Sequence, residues 1–384
     1  MDAARGLSTL IGQLGAAAGL DLDTKTEEPA QVEQIWRLLN ARSAPYLLIL
    51  DNFPENTPLR PYLPTTGPAH TIVTTRRRDL QQAVVGLDAL SPEEGVRLLN
   101  SGQRQLGKGA EELVRRLGGL PLALELAKSY LNYRRDLSIE VLLKEMTIAG
   151  EMQTLAEFAS EYRDELPNLH ERDIVATFQM SWNITPDAAK RVLRVIGELA
   201  PAPVPRWLVR EILGLPEQLP MRDELSKSLS ELARLSWVEL DEAGDPLAHR
   251  LILASVRHQN VAEDASPFDP CVAMIRQQMR RAFDNPGANT IRDLESLVPH
   301  AEFLTAKNRI GREDRSDLLN SLGGHHQKMG RFTAAREVYS AALLSDEKAL
   351  TSGPPSIATV QSNLALVLRD RDSWRNRAIC CGRR

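Results

Sequence analysis

The sequence predicts an α/β segment followed by an all-α remainder. A short continuous apolar run, Tyr46 to Leu50, has the look of a strand buried on both faces of a parallel sheet, and a second run, His70 to Thr75, reads as another strand. From Leu90 onward such runs thin out and helical periodicity takes over. Near the C-terminus a helix pair recurs, with Leu322-Gly323 matched 42 residues later by Leu364-Ala365, the mark of a solenoid that has only begun.

Residues 1–45 read as two amphipathic helices, with Leu7, Leu10, Ile11 and Leu14 on one face, then Val32, Ile35, Leu38 and Leu39 on another. The first strand ends in Asp51-Asn52 and the second in Thr74-Thr75-Arg76, and a weaker apolar stretch comes at Ala83 to Leu87. Ser91-Pro92-Glu93-Glu94 is a helix start, with a capping serine, proline in the first turn and acids near the positive end of the dipole. Leu117-Gly118-Gly119-Leu120-Pro121 breaks one helix at the glycines and starts another at the proline. Between 171 and 260 several helices lead to Trp237-Val238-Glu239-Leu240, a turn at Gly244, and Pro246 to Leu251, which together suggest a winged-helix module. Gly330-Arg331-Phe332 makes the turn inside the repeat and Gly353-Pro354-Pro355 stops its second helix. The arginine-rich tail from Arg369, with Cys380-Cys381 in it, reads as solvated and frayed.

Composition narrows the function classes. With 384 residues, 42% hydrophobic and 26% charged, the chain is ordinary globular protein of two to three domains. A net charge of −4 gives no global attraction for nucleic acid or anionic membrane. Three cysteines make neither a disulfide framework nor metal-binding spacing, which fits a reducing, cytoplasmic location. No apolar run approaches the roughly 20 residues that cross a bilayer, and Met1 to Gly19 does not read as a signal peptide.

The polar ends of the two strands carry the chemistry. An acid at the carboxyl end of a buried parallel strand can hold Mg²⁺ beside a nucleotide phosphate, and an arginine at the same sheet edge can pair with a terminal phosphate. Asp51, Thr74, Thr75 and Arg76 share that edge, while Arg77 and Arg78 read as a solvated loop. His325-His326 point about 100° apart on a helix, a poor metal clamp, and are expected to be solvated.

In order, Leu-Leu-Ile-Leu-Asp-Asn at 47–52, Thr-Ile-Val-Thr-Thr-Arg at 71–76 and Gly-Gly-Leu-Pro-Leu-Ala-Leu at 118–124 resemble the NB-ARC nucleotide switch of the STAND ATPases. The chain beyond Leu124 resembles that family's continuation, a winged helix containing Pro246-Leu247-Ala248-His249-Arg250-Leu251 and then tetratricopeptide repeats of the long kinesin-light-chain type. The resemblance implies a partial P-loop NTPase-type parallel sheet, a helical domain, a winged helix and the start of a repeat solenoid. It also implies roles: Asp51 as the Walker B carboxylate near Mg²⁺, Arg76 as the sensor facing the γ-phosphate with Thr75 beside it, Pro121 against the nucleoside, and His249 on the ADP β-phosphate. The residues around His249 depart from Met-His-Asp, and a histidine hydrogen-bonded at the end of a wing strand explains it equally. Asn52 stands where some relatives have a second acid, so the general base is absent or supplied elsewhere.

The pattern G-x-x-x-x-G-K-[ST] is missing. Gly102 to Gly109 nearly matches but ends in glycine, comes after a helix and lies beyond Asp51, so it reads as a connecting loop. The resemblance places a P-loop strand between the two strands present, and the expectation is an N-terminally truncated switch. The domains expected are 1–90 (partial nucleotide-binding), 91–150 (helical), 151–170 (linker helix), 171–260 (winged helix), 261–310 (connecting helices) and 311–384 (one complete repeat and one partial). ATP, ADP and Mg²⁺ are the implied ligands, or none in this chain, without tight nucleotide binding or ATPase activity. A protein partner on the repeats and self-association through the nucleotide-binding domain are the implied contacts, in signal transduction. The alternatives are a nucleotide-independent adaptor using helical and repeat surfaces, and a transcriptional regulator using the winged helix, which the modest charge of 171–260 disfavours.

Overall fold

Tyr46–Phe53 forms strand β1 and Ala69–Thr75 forms β2, and the two pair in parallel with Ile49 opposite Ile72 and Leu50 opposite Val73. In the computed structural model the described residues are 34–37, 39–41, 45–53, 58–60, 63–64, 67, 69–75, 85, 87, 89–101, 106, 109–150, 171–217, 223–284, 288–347, 360–367 and 369. The described chain is mostly helical, with this small parallel sheet near its start. It divides into two units, 1–85 with 276–384, and 86–275.

In the first unit, alternation along β1 buries Leu48 and Leu50, at 2% and 0% exposure, and turns Ile49 and its partner Ile72 outward at 44% and 52%. Each buried leucine contributes about 2 kcal/mol by leaving water. Residues 34–37 and 39–40 are helical, bury Ile35, Trp36 and Leu39, and accept at Asn40 Oδ1 the hydroxyl of Tyr46 at 2.9 Å. The first amphipathic helix expected in 1–45, with Leu7 to Leu14, lies outside the described residues. The sequence supplies no strand to lie between the two, and they pair with each other. β1 and β2 hydrogen-bond directly to each other from Tyr46↔Ala69 to Leu50↔Val73. Of the weak apolar stretch at Ala83 to Leu87 the described residues are Val85 and Leu87, which form no strand and are almost fully exposed.

The second unit opens with α1, Pro92–Asn100, on a complete capping box in which Ser91 Oγ accepts from Glu94 N–H and the Glu94 carboxylate accepts from Ser91 N–H. Helix α2, Ala110–Arg116, ends at Gly118 and Gly119, both at positive φ, and α3, Pro121–Tyr133, starts at the proline. Gly119 lies so close to Leu90 that an added Cβ would stand 2.3 Å from that residue's carbonyl oxygen. Helix α4, Ile139–Gly150, packs on α5, Glu171–Ile184, where Arg116 forks onto Asp173 and also reaches Leu143 O at 2.8 Å and Thr147 Oγ1 at 3.0 Å. The linker helix expected at 151–170 lies outside the described residues.

Helices α6 (Asp187–Gly197), α7 (Arg206–Leu213) and α8 (Glu224–Arg234) lead into an antiparallel hairpin of β3, Glu239–Leu240, and β4, Pro246–Leu247. Trp237, fully buried, donates its indole N–H to Thr185 Oγ1 at 2.9 Å, stacks near Phe178 and meets Trp182 edge to face. Asp223 caps α8 and is held at about 2 by the Arg210 guanidinium, with Ser226 adding two hydrogen bonds against the cost of burial. The strand expected to run from Pro246 to Leu251 stops at Leu247. A helix, α9 (Arg250–Ala262), begins there because its apolar side chains, Leu251, Ile252, Leu253 and Val256, bury on helical spacing.

The division between the units falls within α10, Phe268–Asp284. Beyond it, α11 (Ala288–Thr305), α12 (Arg312–Lys328) and α13 (Phe332–Glu347) form the antiparallel stack that the repeat predicts, turning at Gly330 with φ of 69°. Gly323 supplies the close approach: its absent Cβ would meet the Tyr339 ring at 2.5 Å. Tyr339 and Ala342 are fully buried with Val360 and Val367 of the next helical stretch, residues 360–367, and Asn363 Nδ2 donates to Asn320 Oδ1 at 3.0 Å across the repeat. Burial pushes the Tyr339 hydroxyl up to about 12. The expectation of solvated His325 and His326 is overturned: they are 3% and 2% exposed, because α12 is covered by both α11 and α13. Gly353-Pro354-Pro355, Trp374 and the tail with Cys380 and Cys381 lie outside the described residues.

Candidate functional site

The sheet end is built by a register shift. Between Leu50↔Val73 and Phe53↔Thr75 the first strand places two residues, Asp51 and Asn52, opposite the single Thr74. Such a bulge re-aims a side chain at the point where pairing ends. Thr74 Oγ1 donates to Asp51 Oδ1, and Thr75 Oγ1 donates to the carbonyl oxygen of Phe53 at 2.8 Å. Asp51 is solvent-exposed while Phe53, two residues on, is buried, so the strand is anchored immediately beyond its acid.

This arrangement presents one carboxylate, oriented by a hydroxyl, at the carboxyl end of a parallel pair. Mg²⁺ in nucleotide sites takes one or two carboxylates and completes its octahedron with phosphate and water, so Asp51 fits the protein's share of such a site. The phosphate cradle has no counterpart in this sequence. Among the described residues no group of three or more His, Cys, Asp or Glu could hold a metal by itself. Arg76 lies outside the described residues, as do Arg77 and Arg78.

The other two site residues belong to the second unit. Pro121 is the first residue of α3 and exposed, a position its fixed φ and missing N–H already suit. His249 does not end a wing strand. It is the N-cap of α9: its backbone is extended, with φ of −63° and ψ of 143°, and its Nδ1 accepts the Leu251 N–H at 3.2 Å. An accepting Nδ1 is the unprotonated nitrogen, so the neutral ring carries its proton on Nε2. No acid stands in the first turn of α9, which leaves its start to the histidine.

Sequence reasoning missed two sets of residues. The joint between Arg116 and Asp173 spans 57 positions, and nothing local marks it. Asn260, fully buried, ties the Arg194 side chain to Glu198, which also accepts from Ser266 Oγ. The apolar spacing of α9 could have flagged Asn260 as a polar residue on a buried face.

No protein-family model matches this chain. It is 30% identical over 221 residues to the regulatory protein AfsR of Streptomyces coelicolor, covering 55% of this chain and 20% of that protein. It is 32% identical over 201 residues to the regulatory protein AfsR of Streptomyces griseus, covering 50% and 19%. A nucleotide-binding leucine-rich repeat (NLR)-like protein of Hyaloscypha variabilis is 24% identical over 316 residues, covering 77% and 31%. The chain thus spans about a fifth of the length of the two AfsR proteins. These relatives support an NB-ARC/STAND-like affinity, in agreement with the motif order in the sequence. Among the described residues no helix is long and apolar enough to cross a membrane.

Proposed function

We propose that this chain is a module of a STAND-type regulatory switch that responds to ADP and ATP with Mg²⁺. The observation that carries the reading is the bulged end of the parallel pair, where Thr74 orients Asp51 and Thr75 closes onto Phe53. Similarity to regulatory and NLR-like proteins supports the signalling role. In this reading Asp51 faces the metal, Arg76 the terminal phosphate and Pro121 the nucleoside. The helices and hairpin of 171–260 act as a winged helix, and the 42-residue repeats as a tetratricopeptide surface for a protein partner. Without a P-loop, this chain binds Mg-ADP more weakly than micromolar and hydrolyses ATP no faster than background.

Isothermal titration tests this in two arms. The chain alone gives no micromolar binding of Mg-ADP or Mg-ATP. With a strand and P-loop fused ahead of β1, binding appears, and Asp51→Asn weakens it at least tenfold. Micromolar binding by the unfused chain, or fused-chain binding indifferent to Asp51→Asn, overturns the reading. A nucleotide-independent adaptor is the second reading, favoured by the stacking of residues 360–367 onto α12 and α13 through Val360, Val367 and the Asn363–Asn320 bond.

A further inference from the structure

Among the described residues five helices end in the same hydrogen-bonded pattern, at Gly118, Gly214, Ser236, Asp264 and Gly330, and one of them ends in an unexpected residue. In this ending the residue after the C-cap takes a left-handed conformation, its N–H returning to the third carbonyl back and the next N–H to the fifth. Gly118 ends α2 this way, bonding Arg115 O at 3.1 Å while Gly119 bonds Val114 O at 3.0 Å. Gly330 ends α12, with Gly330 N–H on Gln327 O and Arg331 N–H on His326 O. Asp264 ends α9 at φ of 47°, and aspartate, like asparagine, visits this region.

Helix α8 ends on Ser236 at φ of 59°, with Ser236 N–H on Ala233 O at 3.0 Å and Trp237 N–H on Leu232 O at 2.9 Å. Serine gains nothing from the backbone there. A Cβ in the left-handed region crowds the adjoining carbonyl, and glycine is the residue that avoids it. Strain of this kind persists where the side chain has another task. The Ser236 hydroxyl lies 2.6 Å from that of Ser129, which is 7% exposed on α3. One helical turn further along α3, the Tyr133 ring carries the Arg234 guanidinium 4.6 Å from its centroid, and Arg234 is the last residue of α8. Ser129 and Tyr133, four apart, share a face of α3, so two contacts join that face to the end of α8.

We propose that the Ser129–Ser236 hydroxyl pair, with Arg234 over Tyr133, is a latch that sets how readily α3 separates from the end of α8 and its hairpin. The α3 helix begins at Pro121 and the hairpin leads to His249, the residues that the family resemblance sets on the nucleoside and the β-phosphate, so the latch bears on their spacing; that consequence rests on the switch reading.

Two substitutions test it because each is locally favourable. Ser236→Gly relieves the left-handed strain, and Ser129→Ala raises helix propensity, so each keeps Tm within about 2 °C of the parent. Both nevertheless speed amide hydrogen exchange of residues 124–133 by about fivefold, the effect of one lost hydrogen bond. The double variant goes no further than either single one, since both remove the same bond. Unchanged or slower exchange of 124–133 in Ser236→Gly overturns the latch, as does an additive double variant, because a residue serving only its own helix end is improved by glycine. Exchange is read without nucleotide, so failure of the nucleotide titrations removes the switch reading and leaves this result standing.

Discussion

Arg331 and Glu295 meet at one oxygen: Arg331 Nη2 donates to Glu295 Oε1 at 2.9 Å, and His325 Nε2 shares that oxygen at the same distance. Arg331 is 1% exposed, so its charge depends on this carboxylate. Burial works against the charged Glu295, but the His325 hydrogen bond and the Arg331 charge outweigh it and hold the carboxyl at about 2. His325 is lowered as well: burial pushes it below its ordinary value, against the pull of Glu295. The loop after α12 and the face of α11 are thereby joined through ionised groups in a poorly hydrated place.

Acid should loosen this joint in two steps. A group whose pKa is lower folded than unfolded gives stability above its unfolded value and loses it as pH falls. Keeping His325 neutral therefore stabilises fully above about 6.5 and less below. The Glu295 contribution is intact above about 4.5 and disappears as pH falls toward 2. Glu295→Gln should remove the lower step and cost about 3 kcal/mol at neutral pH, since it strands a buried guanidinium. Urea unfolding combined with hydrogen exchange across residues 312–342, repeated from pH 3 to 8, checks this. A flat profile between pH 7 and 4 would count against the joint.

Gly119 should tolerate no side chain. Its φ is 65°, it donates to Val114 O, its carbonyl accepts Leu90 N–H at 3.0 Å, and a Cβ would meet the Leu90 carbonyl oxygen. Backbone cannot move aside as a flexible side chain can. Gly119→Ala should cost about 3 kcal/mol, combining left-handed strain with that clash, and thermal unfolding measures it. Gly214→Ala is the control: it has the same sign of φ, at 61°, and open space around it, so strain alone should cost about 1 kcal/mol. Equal losses at the two sites would show that the contact with Leu90 contributes nothing.

What could be read from the sequence was what short-range physics decides. The capping serine at Ser91, the break at Gly118-Gly119 and the helix start at Pro121 each depend on neighbours within five positions, and each stands as expected. The two strands were legible as apolar runs, but their partner was not. Period and polarity mark a run as a strand without saying which strand lies beside it or how many of its faces are covered: β1 pairs directly with β2, and against the expectation of burial on both faces Leu47 and Ile49 of β1 are exposed, as is Ile72 of β2. Asp51 was legible by its place at a strand end, whereas the bulge that sets it opposite Thr74 depends on register between two segments 23 residues apart. The buried state of His325 and His326 was hidden for a related reason: Glu295 and Glu302 face them from another helix, and nothing within α12 announces them.

His249 gives the last prediction, because its cap can be separated from any contact with phosphate. The Leu251 N–H is one of the four donors that the start of α9 leaves without a helical partner, and Nδ1 of His249 takes it. Histidine is not among the usual capping residues, but its Nδ1 lies as near the backbone as an asparagine oxygen and can serve alike. His249→Ala should therefore destabilise the chain by about 1 kcal/mol, a fall in Tm of about 2–4 °C. His249→Asn keeps an acceptor at the same reach and should recover most of that loss. Thermal unfolding of the two variants beside the parent decides. Equal loss in both would show that the imidazole is held for its ring rather than for Nδ1, and the cap would cease to explain why a histidine stands at this position.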